Sequence, residues 1–132
     1  MSSFMRAGHA FNQTRQVDLA TSLRAANTHL TRLVGLMGKK ADDFPTGHGL
    51  WITPCRGVHT MGMRIPIDVI YLDADNAVVH LERGLKPWRM APVMLRAASV
   101  LELPQGVIAS TGTQLGDKIE IVLNPARKAT TA

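Results

Sequence analysis

Val69-Ile70-Tyr71-Leu72-Asp73-Ala74-Asp75-Asn76-Ala77-Val78-Val79-His80-Leu81 reads as two strands and the turn between them. The flanking runs are rich in β-branched and apolar residues, and the Asp and Asn side chains in the middle can accept hydrogen bonds from a tight turn's backbone. A β-hairpin is expected, with Val69 to Leu72 antiparallel to Ala77 to Leu81.

Working outward, the β signal continues on both sides. Leu50-Trp51-Ile52-Thr53 reads as a short strand stopped by Pro54, and Val58 to Ile65 as an extended segment before Pro66. Ala98 to Leu103 forms a further strand ahead of Pro104 and Gly106. Lys118 to Leu123 follows a Gly116-Asp117 turn and places Ile119, Ile121 and Leu123 on one face. Glu82 to Ala91, broken by Gly84 and Pro87, reads as a long loop or irregular edge. Helical signal is sparse. Leu30, Leu33 and Met37 recur at helical spacing, with Asn27 or Thr28 available as a cap and Gly38 as a stop. Val17 to Ala26 fits either a strand through Val17 and Leu19 or a helical face through Ala20, Leu23 and Ala26. The expected fold class is mainly β, a compact single-domain β barrel or sandwich-like sheet with one or two short helices.

A chain of 132 residues has the usual size of one domain, and 45% hydrophobic against 19% charged residues is enough to build a core. Residues 1–15 lack either periodicity and read as a flexible basic arm, residues 16–124 as the domain and 125–132 as a flexible tail. Deleting the arm is therefore expected to leave a cooperative core. The formal charge of +5 is concentrated early: Arg6, Arg15, Arg24, Arg32, Lys39 and Lys40 are opposed only by Asp18, while residues 42–132 carry nine charges of each sign. A nucleic-acid groove is a basic stripe built into a fold and interleaved with aromatic platforms, and three Phe, two Trp and one Tyr argue against that partner. Cys55 is the only cysteine, which excludes an intrachain disulfide. No apolar run reaches the roughly 18 residues of a membrane span. The opening residues lack a signal-type apolar stretch, so the expected location is the cytoplasm.

Cys55-Arg56-Gly57-Val58-His59-Thr60-Met61-Gly62-Met63-Arg64-Ile65-Pro66-Ile67-Asp68-Val69-Ile70-Tyr71-Leu72-Asp73 closely resembles the central signature of the uncharacterised DUF192, or UPF0127, family. Arg32-Leu33-Val34-Gly35-Leu36-Met37 upstream, and Val100-Leu101-Glu102-Leu103-Pro104 with Gly116-Asp117 downstream, extend the resemblance over approximately residues 17–123. It implies a compact, mostly β structure with limited helix. It implies no catalytic mechanism that transfers to individual residues.

In an uninterrupted strand, Cys55, His59, Met61 and Met63 would share a face and offer a soft donor set suited to Cu(I). Alternate residues are about 6.6 to 6.8 Å apart on a strand, so one ion cannot span the set without a bend, and packing is the expected role. No metal or other cofactor is expected. Asp73 to Gly84 fails the EF-hand pattern, and nucleotide-loop, H-E-x-x-H and C-x-x-C motifs are absent. Asp68 is suited to satisfying backbone groups near Pro66, and Glu102 to pairing with an arginine.

The favoured site is a small anion-binding recess near His59, Arg64 and Arg89, with Trp88 as an apolar wall and Asp68 and Glu102 as further candidates. Arginine grips a carboxylate or phosphate through paired donors. The expected function is a non-enzymatic binding module for a small anionic ligand or partner group. The alternatives are an enzyme using His59 with Cys55 or Asp68, and a structural protein-interaction module with an exposed apolar face or strand edge.

Overall fold

A computed structural model of the chain describes residues 8–27 and 38–124. The strands are β1 (Gly8–Asn12), β2 (Val17–Ala26), β3 (His48–Ile52), β4 (Ile67–Leu72), β5 (Val78–Leu85), β6 (Ser99–Pro104) and β7 (Ile119–Leu123). Among the described residues one short helix, α1 (Val107–Thr111), and a 3-10 turn at Ala41–Asp43 accompany them. The strands form a single sheet in the order β5-β4-β6-β3-β2-β1-β7. Neighbours are antiparallel except β2 and β3, whose parallel pairing uses residues 27–47 as the crossover connection. The sheet curls into a half-barrel.

The hairpin forms where expected. Asp73 Oδ1 accepts from the backbone N–H of Asp75 and of Ala77, each at 2.9 Å, and Ile70 lies opposite Leu81 across the pair. The same turn closes the curl. Ala77 bridges Lys118, the Val78 N–H donates to Asp117 O at 2.9 Å, and the Ile119 N–H donates to Asn76 O at 2.9 Å. The start of β5 is thereby stitched to the start of β7, although these strands end the sheet on opposite sides.

Both faces of the central strands are buried, which explains why Ile67–Leu72 and Ser99–Pro104 read as nearly unbroken apolar runs. One face packs Leu19, Leu23, Ile70, Leu72, Leu101 and Leu103 against Val107 and Ile108 of α1. The other packs Leu50, Ile52, Val69, Tyr71 and Val100 beneath Met63, Ala91 and Ala97 from the loops.

Asp68 joins the first face to α1. Its Oδ1 accepts from the Gly84 N–H at 2.8 Å, and its Oδ2 accepts from the N–H groups of Gly106 at 3.1 Å and Ile108 at 2.9 Å. Gly106, at φ 100°, supplies the left-handed residue that lets the chain turn from β6 into the helix. Replacing the carboxylate removes an ionised acceptor from three backbone donors at once. We therefore expect Asp68→Ala to cost about 3 kcal/mol in urea unfolding, and Asp68→Asn less because one amide oxygen remains.

Several sequence expectations are corrected. The arm assigned to residues 1–15 contains β1, so Gly8–Asn12 belongs to the sheet and regular structure does not wait until Val17. Ala10 and Asn12 are fully buried, and β1 lies between β2 and β7. Val58 to Ile65 is not a strand: only His59 makes a bridge, to Met90, and the backbone turns through Thr60–Met63 with Gly62 at φ 77°. That bend breaks the alternation on which a common face for Cys55, His59, Met61 and Met63 depended. β5 continues to Leu85, into the stretch read as loop. Val17–Ala26 is a strand, and α1 had no counterpart in the sequence reading. The expected helix through Leu30, Leu33 and Met37 and the tail 125–132 lie outside the described residues.

Candidate functional site

Two segments without regular strand structure, 54–66 and 86–98, pair with each other and lie as a flap across the second face of the sheet. Thr60 holds them together. It is fully buried; its N–H donates to Arg89 O at 2.8 Å, and its carbonyl accepts from the Trp88 N–H at 2.9 Å. Its hydroxyl donates to Lys86 O and accepts from the Arg89 N–H at 2.8 Å. Further along, Ala91 N–H donates to Val58 O at 2.9 Å and Met94 N–H to Arg56 O at 2.8 Å. The inner side chains join the core, and the Tyr71 hydroxyl fastens the flap from below by donating to Pro92 O at 2.8 Å.

The outer side of the flap differs in character. Arg56, Arg64, Lys86, Arg89 and Arg96 are all exposed, and neither segment contains an Asp or Glu. None of these cations makes an ion pair among the described residues, where the ion pairs are Arg15 with Asp117 and His80 with Glu82. Trp88 and Met90 are exposed among them at 62% and 76%, with Val93 and Leu95 following at 68% and 81%. Trp88 also has φ 62°, the left-handed region that bulky side chains avoid at a cost of roughly 1–2 kcal/mol. The Thr60 bonds on either side of its peptide unit hold it there.

Four of the six candidate residues therefore share this surface: His59, Arg64, Trp88 and Arg89, all exposed. His59 and Met90 form a bridge between the two segments, and Arg89 is bonded to Thr60 through its backbone. Asp68 is on the opposite face, with its oxygens occupied by the backbone donors of Gly84, Gly106 and Ile108. This removes it as a partner for His59. Cys55 Sγ donates to the Gly57 carbonyl at 2.9 Å.

Glu102 is the other exception. It lies on the flap side of β6, cross-strand from Leu50 and Val69, and is 3% exposed. No ion pair joins it to an arginine among the described residues. Burial pushes its carboxyl up to about 8, so it is held mainly protonated at neutral pH. Nearby, His80 Nε2 meets Glu82 Oε2, and the His80 ring packs edge-on against Tyr71 with centroids 4.9 Å apart. Burial first, then the acidic neighbours Glu82, Cys55 and Glu102, hold the Tyr71 phenol well above its ordinary range. Of these groups Tyr71 and Glu102 are buried beneath the flap, and His80 and Glu82 stand partly exposed on β5.

Sequence reasoning missed Thr60, the organising residue, because a threonine between His59 and Met61 carries no periodic signal. It also missed Met90, Val93 and Leu95, whose signal was a run of large apolar side chains in a proline-broken stretch with no strand alternation. An open groove of about 450 Å³ lined by His80, Leu81, Arg83, Gln114 and Leu115 lies apart from the flap. No group of three or more His, Cys, Asp or Glu among the described residues is placed to hold a metal ion. No helix among the described residues is long and apolar enough to cross a membrane.

The chain belongs to DUF192, described as "Uncharacterized ACR", whose family model matches residues 10–121. It is 32% identical over 114 residues to a UPF0127 protein of Pyrococcus furiosus, covering 83% of this chain and 94% of that one. A UPF0127 protein of Pyrococcus horikoshii is also 32% identical, with 83% and 95% covered. Two crystal structures share the fold at 22% identity. A protein of unknown function from Novosphingobium aromaticivorans gives a TM-score of 0.72, covering 87% of this chain and 84% of that one. A "putative transcription regulator" from Sinorhizobium meliloti gives 0.74, with 92% and 97% covered.

Proposed function

We propose that this chain is a non-enzymatic binding module whose flap docks an anionic partner group. The observation that carries the reading is the segregation of charge: Arg56, Arg64, Lys86, Arg89 and Arg96 lie in two bonded segments that contain no acid. A surface of one sign attracts a partner of the other and orients it on approach. Arginine adds forked donors for carboxylate or phosphate, and Trp88 offers a flat apolar contact beside them. His59, exposed on the same flap, can donate to the same group when protonated.

An enzyme reading has less support, because Asp68 is committed to backbone donors and Glu102 is sealed beneath the flap.

The test is binding to a soluble polyanion, heparin, over a range of salt. Wild type is expected to bind with an affinity that falls steeply as salt rises. Reversing Arg56, Arg64 and Arg89 to Glu is expected to abolish binding, while Arg83→Glu, on β5 outside the flap, leaves most of it. Equal losses per charge reversed at Arg83 and in the flap would reduce the effect to net charge and sink the reading.

A further inference from the structure

We propose that the anionic partner is a lipid surface, onto which the flap docks from the side with Trp88, Met90, Val93 and Leu95 entering the headgroup boundary. The inference rests on the reading of the flap as an anion-docking surface and names its partner.

The first support is the placement of apolar area. Of the large apolar side chains exposed among the described residues, Trp88, Met90, Val93 and Leu95 fall within one short segment and only Leu115 lies elsewhere. Water-facing apolar groups gathered in this way mark a contact surface. The second is the presence of cations among them: Lys86 lies two residues before Trp88, Arg89 separates Trp88 from Met90, and Arg96 follows Leu95. A folded protein partner would have to desolvate each of those charges to reach the apolar groups between them. A bilayer surface does not, because arginine and lysine stems extend their charged ends to the headgroups while apolar neighbours sink below.

The third support is Trp88 itself. An indole has an apolar body and a polar N–H, the character that gathers tryptophan at membrane interfaces. Here it is held outward in a left-handed backbone that glycine or asparagine would adopt with less strain. The Thr60 bonds fix that geometry before any partner arrives. Charge complementarity selects the lipid: the segments hold no acid, so an anionic leaflet meets no repulsion from them.

The experiment is cosedimentation of the full chain with vesicles of phosphatidylcholine alone, and with about one-third phosphatidylserine to supply negative surface potential. Tryptophan emission is read in parallel. Partition onto the anionic vesicles is expected, with little onto the neutral ones and a blue shift that disappears in Trp88→Ser. Each flap cation removed should weaken partition about fivefold. Val93→Ser with Leu95→Ser should weaken it more than about tenfold while leaving the heparin affinity and melting temperature near wild type, since both side chains are exposed. Heparin binding without vesicle binding would overturn the lipid assignment and leave the anion-docking surface standing. Binding to neither would overturn both. Tighter binding to duplex DNA or to an acidic peptide than to the vesicles would assign the surface to that partner instead. Vesicle binding unchanged by the double serine variant would overturn apolar insertion.

Discussion

Deleting residues 1–15 should abolish cooperative unfolding or lower stability by more than about 3 kcal/mol, the size of loss that accompanies removal of a packed, networked element. The deletion takes away β1, leaving β7 with no strand beside it in the sheet and exposing the edge of β2. It also removes a buried clamp. Asn12 Nδ2 donates to Thr113 Oγ1 at 3.1 Å and to Asp117 Oδ2 at 2.9 Å, while Arg15 Nε donates to Asp117 Oδ2 at 3.0 Å. Burial by itself would raise the Asp117 carboxyl; the hydrogen bonds from Arg15, Asn12 and the Gln114 N–H, with the Arg15 charge, together hold it below its ordinary value. Its folded form thus favours the carboxylate, and that contribution is lost as pH falls through the lowered value. Urea unfolding of full-length and truncated protein, followed by near-ultraviolet circular dichroism, is the measurement. An unchanged midpoint would remove β1 from the core.

The second large effect is alkaline. Glu102 has a folded value of about 8 against an ordinary 4.5, so between those limits the folded chain holds a proton that the unfolded chain has released. Stability from this group is therefore complete below the ordinary carboxylate range and declines as pH rises through about 8. Glu102→Gln removes the ionisation while keeping the shape. At neutral pH it should gain about 3 kcal/mol, less whatever the buried amide loses in unmade hydrogen bonds. Glu102→Met, with no such bonds to make, is the companion variant. The readout is the difference in unfolding free energy between mildly acidic and mildly alkaline buffer. Wild type should fall steeply and both variants should flatten; an undiminished slope in both would place the responsible group elsewhere.

The parts legible in the sequence were those in which side-chain chemistry and backbone geometry agree. Asp73 and Asn76 announce the hairpin because their side chains are the turn's own acceptors and left-handed residue. The apolar runs of β4 and β6 announce burial on two faces. β1 was hidden because its inward residues are Gly8, Ala10 and Asn12 and its large apolar side chain, Phe11, points the other way, so the usual alternation is inverted. Nothing larger fits at Gly8, where a Cβ would lie 2.1 Å from Val122 O. α1 is too short for helical periodicity to register. The flap posed a different difficulty. His59, Arg64, Trp88 and Arg89 were identifiable by chemistry, yet the balanced charge count after residue 42 concealed that segments 54–66 and 86–98 hold bases without acids. Asp68 was legible as an acceptor for backbone groups but its donors, Gly84, Gly106 and Ile108, were not, and Glu102 could not be placed because a carboxylate on a strand has no sequence mark distinguishing solvent from a sealed interior.

The pairing of β1 with β7, in which Gly8 lies opposite Leu123, also constrains how the protein is made. On the ribosome β1 emerges long before β7, and until then its outer edge has no partner. The nascent chain can form its central hairpin early, since those strands are joined by one tight turn. Completion of the sheet waits for more than a hundred residues to be translated, a topology associated with slow, concerted closure. During that interval the unpaired edge of β1 is available to other nascent chains, so synthesis is the stage at which this protein is most exposed to misassembly.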